Sequence, residues 1–357
     1  MNSNVKPGTI AHTDAYRGVY RVAIVGAGSL KGKEVAEMIE QRSFPAIDVK
    51  LLDDDESLGQ LEALKDEITF IQSVRAEQFD NIDFTFFASD ADCTRRNWKH
   101  VQKAGGAIID LSYALEDEPG ATLRAPWLQR QLGQVAAPEL QPGPAVVAHP
   151  ASVVLALLLT RMQTAGSVRR AVASVFQPAS ERGQKGMDEL HEQTVNLLSF
   201  QPLPKNIFDV QVAFSMVSRY GEQSSPALSA ITELVVRHYR KIVPEKTLVP
   251  SVSVLQAPTF HAHTISVNVQ MDSPADIAEL SRALSGDHVQ VIPSSEEAPN
   301  NVNAAGQADI LVSVTADASD PNTAWIWAAS DNLRVAAANA VECAEAMAAS
   351  RPRGQVQ

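Results

Sequence analysis

The sequence predicts an α/β protein in which a doubly wound parallel sheet is followed by a second, α+β domain. Short apolar runs alternate with helical stretches over residues 19–148, as they do in a parallel sheet with crossover helices. After residue 150 the runs show strand-like alternation and are separated by long connections, which favours a mixed or antiparallel sheet. The length of 357 residues agrees with this division, because it corresponds to about two domains of ~150 residues.

The first domain, predicted at 19–148, begins with a β-rich apolar run at residues 20–25 (YRVAIV). This run ends in glycine and is typical of a buried parallel strand. Residues 32–42 then follow helical spacing, with apolar side chains on one face. Residues 1–18 carry turn formers without periodicity, which indicates a flexible tail. The remaining predicted elements are strands at 49–52, 82–87 and 107–109 and a helix at 95–104.

The second domain, predicted at 149–330, begins with a helix at 152–164 whose first half is apolar nearly all round. Residues 294–306, rich in Pro, Asn, Ser and Glu, predict a surface loop. An alanine-rich helix at 331–347 lies in a separate C-terminal segment, 331–350. The other predicted elements are helices at 186–198 and 227–242 and strands at 170–176, 210–216, 248–255, 264–271, 310–314 and 324–329.

Composition and charge exclude several classes of protein. Hydrophobic residues make up 45% and charged residues 20%, which allows a large core and argues against disorder. The formal net charge of −12 argues against a nucleic-acid partner, because phosphate binding needs clustered Lys and Arg. No apolar run approaches the ~20 residues that cross a bilayer, so we expect no membrane partner. Because Cys93 and Cys343 cannot form a disulfide framework and no secretory signal is visible, we expect a cytoplasmic location.

A glycine loop separates the first predicted strand from the first helix, where the pyrophosphate of a dinucleotide would lie. Glycine lets the backbone approach phosphate, and the helix N-terminus supplies N–H groups. The alternative interpretation is a tight turn without a ligand. The spacing is G-x-G-x-x-x-G, and the loop residues that we predict to bind a cofactor are Gly26, Gly28, Ser29, Leu30, Lys31 and Gly32.

Acidic residues 53–56 follow the second predicted strand, where a carboxylate can bind the ribose 2′-hydroxyl of NAD. The same charges would repel the 2′-phosphate of NADP, so we predict NAD if a dinucleotide binds. The alternative is a solvated acidic turn. The cofactor-binding residues predicted outside the glycine loop are Asp53, Ser57, Ser89 and Asn332.

Several motifs spread over residues 20–348 resemble those of the aspartate-semialdehyde dehydrogenase family. Besides the glycine loop, they are Ile109-Asp110-Leu111-Ser112, Ala137-Pro138-Glu139, Ser174-Val175-Phe176-Gln177, Gly183, Glu189-Leu190-His191-Glu192-Gln193-Thr194, Ala257-Pro258-Thr259-Phe260-His261-Ala262-His263 and Ala329-Ser330-Asp331-Asn332-Leu333-Arg334. The resemblance implies a Rossmann domain, an α+β catalytic and dimerisation domain, and a C-terminal helix that returns to the first domain. It also implies a homodimer.

The family's reaction reduces aspartyl phosphate to the semialdehyde through a cysteine acyl-enzyme, with a histidine as acid/base. In this chain Gln177 and His263 match the family's glutamine beside the reacting carbonyl and its histidine. Matching the prolines, however, places Ser152 of His149-Pro150-Ala151-Ser152 where the family carries its cysteine. A serine hydroxyl needs an explicit base, whereas a helix N-terminus is enough to give a thiolate. Ser152 is thus a poor nucleophile here, and a plain N-cap is its alternative role.

The family's substrate-binding positions also differ. Gln256 stands where the resemblance implies a carboxylate-binding arginine, and Glu116 where it implies a phosphate-binding arginine. Glutamine cannot make the bidentate cationic contact, and Glu116 is expected to repel phosphate. The family's helical glutamate and lysine fall at Thr232 and Leu234, with Glu233 one step away as a candidate substrate contact. In these features the chain resembles the Usg-type members, which lack the same machinery.

These differences predict that the protein does not reduce aspartyl phosphate, and three functions then compete. Gln177 and His263 favour a dehydrogenase with a different, uncharged substrate. The lost substrate contacts favour a non-catalytic module that binds a dinucleotide or a protein. A hydrolase using Ser152 with His263 or His149 is the weakest, since no carboxylate that orients a histidine is visible. We predict no metal site, because His149, His261 and His263 lack Asp and Cys partners at ligand spacing.

Overall fold

The computed structural model describes residues 19–54, 59, 61–64, 67–134 and 143–350. The predicted tail at 1–18, the candidate Ser57 and the motif at 137–139 lie outside these residues. In the described part of the chain, no helix combines the length and the apolar character that crossing a membrane requires.

The first domain is built on a seven-stranded sheet with the order β5-β2-β1-β6-β7-β9-β8. All of its strand pairs are parallel, which confirms the predicted doubly wound sheet. A separate antiparallel pair is formed by β3 and β4. The strands are β1 (Tyr20–Val25), β2 (Ala46–Asp53), β3 (Leu61–Leu64), β4 (Glu67–Phe70), β5 (Gln72–Ser73), β6 (Phe84–Phe87), β7 (Ala107–Asp110), β8 (Thr122–Arg124) and β9 (Ala145–Val147), and the helices are α1 (Leu30–Gln41), α2 (Ala91–Ala104) and α3 (Pro126–Gln131).

The second domain contains a six-stranded mixed sheet with the order β11-β10-β12-β15-β14-β13, which confirms the predicted α+β class. Helices α4, α6 and α7 pack along it. The elements are α4 (Pro150–Ala165), β10 (Val168–Gln177), α5 (Gly183–Leu198), α6 (Leu228–Ile242), β11 (Ser251–Gln256), β12 (His263–Met271), α7 (Ile277–Leu284), β13 (Val289–Val291), α8 (Asn301–Ala304), β14 (Ile310–Ala316), β15 (Thr323–Ser330) and α9 (Asn332–Ser350).

The strand predicted at 210–216 is wrong. The side chain of Gln193 on α5 satisfies the backbone there: its amide oxygen accepts from the Val212 and Ala213 N–H groups, at 2.8 and 3.1 Å. Its amide nitrogen donates to the Val210 carbonyl at 3.1 Å. Because a side chain supplies these hydrogen bonds, the apolar alternation does not lead to sheet pairing. The predicted loop at 294–306 also contains the short helix α8, which Asn300 caps.

Helix α9 follows directly on β15 and packs against α1 of the first domain. Arg42, just after α1, binds Glu345 with Nη2–Oε2 at 2.7 Å and the buried Glu342 with Nη1–Oε1 at 3.1 Å. The Trp127 indole of α3 also donates to Glu342, at 3.1 Å. These contacts bind α9, which follows the second sheet in the chain, to α1 and α3 of the first domain.

Candidate functional site

The glycine loop lies at the carboxyl end of β1, where the strand order reverses between β1 and β6. Gly26 has φ +82°, and a Cβ there would lie 2.4 Å from the Ser89 nitrogen. A Cβ at Gly32 would lie 2.1 Å from the Gly26 carbonyl oxygen. Ser29 caps α1: its hydroxyl accepts from the Gly32 N–H and donates to the Ala88 carbonyl, both at 2.9 Å. The loop therefore has the compact geometry that a nucleotide pyrophosphate requires.

Asp53 ends β2 beside this loop, and its carboxylate is engaged by backbone. Oδ2 accepts from the Gly28 N–H at 3.1 Å, and Oδ1 accepts from the Asp54 N–H at 2.9 Å. Asp54 is exposed and forms an ion pair with Arg96 of α2. The carboxyl end of β2 thus carries the carboxylate predicted there, and the neighbouring Asp54 is paired with Arg96.

Lys31, the second residue of α1, reaches across to the loop that follows β7. Its ammonium donates to the Leu111 carbonyl at 3.4 Å and lies 5.1 Å from the centroid of the Tyr113 ring. Leu30 is half-buried in the first turn of the same helix. The side chain of Lys31 therefore occupies the crevice beyond the carboxyl end of β7.

Ser152 lies in the first turn of α4 and is completely buried. Its hydroxyl donates to the Val235 carbonyl of α6 at 2.8 Å. The N-cap alternative for Ser152 is wrong: His149 is the N-cap, and its Nδ1 accepts from the Ala151 N–H at 3.2 Å. The only hydroxyl proton of Ser152 is thus committed to a structural contact.

His263 faces a carboxylate that the sequence interpretation missed. Glu181 lies between two imidazoles, with Oε1 3.5 Å from His263 Nε2 and Oε2 3.9 Å from His149 Nε2. Asn332 Nδ2 donates to Glu181 Oε1 at 2.9 Å, and Ser180 donates to Asn332 Oδ1 at 3.1 Å. The one available sequence signal was the position of Glu181, four residues after Gln177 at the same strand end.

Burial controls the protonation of this cluster. Burial lowers the pKa of the His149 imidazole to about 3, and it also lowers the pKa of His263. Both rings are therefore neutral near pH 7. Among the described residues, His263 Nδ1 and Nε2 have no partner of hydrogen-bond geometry, so the 3.5 Å approach to Glu181 is neither a hydrogen bond nor, with a neutral ring, an ion pair.

Gln177 and Gln256 meet at the ends of β10 and β11 and share Tyr220. The Tyr220 hydroxyl donates to Gln256 Oε1 at 2.6 Å and accepts from Gln177 Nε2 at 3.2 Å. Gln256 Nε2 donates to the Gln177 and Ala257 carbonyls at 2.9 and 2.8 Å. Gln256 therefore has all of its polar atoms bonded inside the protein, while Gln177 Oε1 has no partner among the described residues.

Glu116 contacts three side chains of α6. Arg237 Nη2 and Lys241 Nζ each lie 2.8 Å from its carboxylate, and His238 Nε2 lies at 3.3 Å. Burial raises the pKa of Glu116, but the hydrogen bonds from Arg237 and Lys241 outweigh it and lower the pKa to about 2. The expectation that Glu116 repels phosphate needs correction, because two cations offset its charge. Its carboxylate is nonetheless fully committed to α6.

Glu233 is exposed on α6 and lines a cavity of about 620 Å³. The wall of this cavity includes Tyr220, the hydrogen-bond partner of Gln177 and Gln256. Both cysteines are buried, and burial raises the pKa of Cys93 to about 11 and that of Cys343 to about 12. Within the described residues, no group of three His, Cys, Asp or Glu side chains is arranged to hold a metal ion.

Comparison with known proteins agrees with the fold. Residues 21–136 match the semialdehyde dehydrogenase NAD binding domain, and residues 159–335 match the semialdehyde dehydrogenase dimerisation domain. The USG-1 protein homolog of Pseudomonas aeruginosa is 31% identical over 90% of this chain and 95% of its own. An aspartate-semialdehyde dehydrogenase of Prochlorococcus marinus is 25% identical over 91% of this chain and 94% of its own.

Solved structures give the same result. A probable aspartate-semialdehyde dehydrogenase from Pseudomonas aeruginosa superposes with a TM-score of 0.81 at 28% identity, covering 92% of this chain and 98% of its own. The chain belongs to the semialdehyde dehydrogenase family. Within that family its relatives include both USG-1 homologues and aspartate-semialdehyde dehydrogenases.

Proposed function

We propose that this protein binds an adenine nucleotide at its glycine loop, forms a homodimer, and does not reduce aspartyl phosphate. The hydrogen bond from the Ser152 hydroxyl to the Val235 carbonyl, at 2.8 Å, carries the catalytic part of the proposal. A serine acts as nucleophile when a base accepts its proton. Here that proton points to a helix carbonyl, which is no base.

The two substrate positions support the same conclusion. Gln256 is bonded to Tyr220 and to two backbone carbonyls, so it has no donor left for a substrate carboxylate. Glu116 is paired with Arg237 and Lys241, the cations of α6 that a phosphate would need. An anionic substrate would have to break both networks, each of which contains charged or buried hydrogen bonds worth roughly 1–3 kcal/mol.

For the nucleotide we propose an adenosine half without a 2′-phosphate, as in NAD and not as in NADP. Asp53 and Asp54 place carboxylates at the end of β2, and Arg96 is paired with Asp54. For the dimer, the match to the dimerisation domain is supported by the outer face of the second sheet. Over residues 171–177 of β10, side chains alternate between buried and half-buried, and on β15 Trp325 is 42% exposed. The cytoplasmic location, inferred from cysteine usage, stays a prediction.

The decisive experiment uses purified full-length protein with aspartate semialdehyde, inorganic phosphate and either NAD or NADP. A cysteine-containing aspartate-semialdehyde dehydrogenase serves as the positive control. We expect no nucleotide reduction above the blank with either nucleotide. Turnover comparable to the control would overturn the proposal.

A second candidate function is oxidoreduction of an uncharged aldehyde. It is favoured by the unpartnered Gln177 Oε1 and His263 nitrogens, polar atoms that a substrate carbonyl or hydroxyl could satisfy. A panel of uncharged aldehydes in the same assay tests it. The hydrolase alternative is disfavoured, because Ser152 donates to Val235 and not to a histidine.

A further inference from the structure

In a doubly wound sheet a dinucleotide lies across the carboxyl ends of the strands, with its pyrophosphate on the first βα loop. The acidic residue after β2 marks the adenosine side, so the nicotinamide half belongs on the opposite side, beyond β6 and β7. The described residues on these two sides differ sharply. Of the described residues on the adenosine side, Asp54 is exposed and Gly28 and Ser89 are half-buried.

The opposite side is filled by side chains of this chain. Lys31 reaches Leu111, and the Tyr113 ring beneath it lies 5.8 Å from the His149 ring. The His149 and His263 rings are 5.9 Å apart, with the Glu181 carboxylate bridging them.

This filling leaves almost no solvent access. The side chain of Glu181 is 8% exposed, and His263 is 0% exposed. A bound nicotinamide would be expected to contact Asn332. This residue is buried, and its side-chain amide is hydrogen-bonded to Glu181 and Ser180. The place where the nicotinamide is expected is thus occupied by buried side chains, whereas Gly28 and Ser29 of the glycine loop are half-buried.

We propose that the glycine loop binds an adenosine diphosphate that carries no nicotinamide, and that Glu181 is the side chain that excludes the second half of NAD. The proposal rests on the proposed nucleotide binding and specifies its ligand. The charge of Lys31 also favours a nucleotide that ends in a diphosphate. A terminal phosphate has free, charged oxygens, and the Lys31 ammonium, whose contact with the Leu111 carbonyl is long at 3.4 Å, is a cation at the second position of α1 that could bind them. The bridging pyrophosphate of NAD offers less charge there.

Calorimetry on the full-length protein tests the proposal with ADP, ADP-ribose and NAD. We expect ADP to bind at least about tenfold more tightly than NAD, a difference of about 1.4 kcal/mol. In Glu181→Ala the affinity for NAD should rise at least about tenfold while that for ADP stays unchanged. Glu192→Ala, which removes an exposed glutamate of α5, is the matched control and should leave both affinities unchanged.

A second measurement does not depend on the folding of a variant. In saturation-transfer NMR of the wild-type protein with NAD, the adenine protons should receive saturation and the nicotinamide protons should not. Equal saturation of both rings, or NAD binding as tightly as ADP, would overturn the proposal while leaving nucleotide binding intact. Absence of binding by all three ligands would overturn nucleotide binding itself, and the absence of aspartyl-phosphate reduction would still stand on its own assay.

Discussion

The Ser152 hydroxyl donates a hydrogen bond to the backbone carbonyl of Val235, 2.8 Å away, and so ties the first turn of α4 to α6. A second hydrogen bond joins the start of α4 to α6: the backbone N–H of His149 donates to Nδ1 of His238 at 2.9 Å. Because Nδ1 accepts, the neutral His238 ring carries its proton on Nε2 and directs it to Glu116 at 3.3 Å. Residues that the resemblance places in a catalytic site thus form a structural joint between two helices.

Ser152→Cys is expected to leave the protein unable to reduce aspartyl phosphate. The thiol would be buried, and burial raises the pKa of a thiol, as it does for Cys93. Gln256 would still offer no cation to the substrate. The coupled assay with semialdehyde, phosphate and each dinucleotide measures this. Recovery of robust turnover from the single substitution would show that the missing thiol was the sole defect.

The matched variant Ser152→Ala should lower the free energy of unfolding by about 1 kcal/mol, the usual value of one buried hydrogen bond. Urea unfolding of the two variants beside the wild-type protein separates the structural role of the hydroxyl from any chemical one. A Ser152→Ala protein as stable as wild type would show that the hydrogen bond between α4 and α6 does not stabilise the fold.

Glu116→Gln should lower the free energy of unfolding at pH 7 by about 2–3 kcal/mol, because Arg237 and Lys241 lose a charged acceptor. The pKa of Glu116 is about 2 in the folded protein and 4.5 in the reference state. A carboxyl group whose pKa is lower in the folded than in the unfolded protein stabilises the fold at pH values above its unfolded pKa. This stabilisation is lost as the pH falls towards the pKa of the folded protein.

The stability difference between wild type and Glu116→Gln should therefore be full above pH 5 and shrink between about pH 4.5 and pH 2. Glu118→Gln, a near neighbour in the same loop, is the control. A difference that does not change with pH would show that the loss is steric and not electrostatic.

The buried histidines predict a second pH dependence. Burial lowers the pKa of His149 to about 3 and that of His238 to about 4, from 6.5. Between these values and pH 6.5 the unfolded chain binds protons that the folded chain does not, so stability rises with pH. Each histidine adds a slope of up to about 1.4 kcal/mol per pH unit. His238→Asn should reduce the slope measured by unfolding between pH 4 and 6.5; an unchanged slope would contradict the burial of a neutral ring.

Gly32→Ala should abolish nucleotide binding and lower the free energy of unfolding by roughly 1–3 kcal/mol. The added methyl group would lie 2.1 Å from the Gly26 carbonyl oxygen, so the loop must move away from α1. Calorimetry with ADP and thermal unfolding are the measurements. Glu40→Ala, at an exposed position of the same helix, controls for changes in helix propensity. Unaltered binding in Gly32→Ala would place the nucleotide elsewhere.

Much of the fold could be predicted from the sequence, because hydrophobic periodicity reports local structure directly. The run at 20–25 became β1 unchanged, and the helix predicted at 227–242 became α6 (Leu228–Ile242). The strand at 210–216 failed because its backbone is bonded by Gln193, a residue distant in the chain. Alternation reports which side chains are buried, and it does not report what satisfies the backbone.

The sequence by itself determined the class of the protein, the position of the glycine loop and the chemical losses at Ser152 and Gln256. The class and the loop follow from residue types and their spacing, and the losses follow from the resemblance to a known family, so no contact was needed to predict them. The tertiary structure alone decided what surrounds those residues. It placed Glu181 between His149 and His263, and it gave Glu116 the cations of α6. The physical reason is that charge compensation and burial depend on side chains brought together from different helices and strands, which no local pattern records.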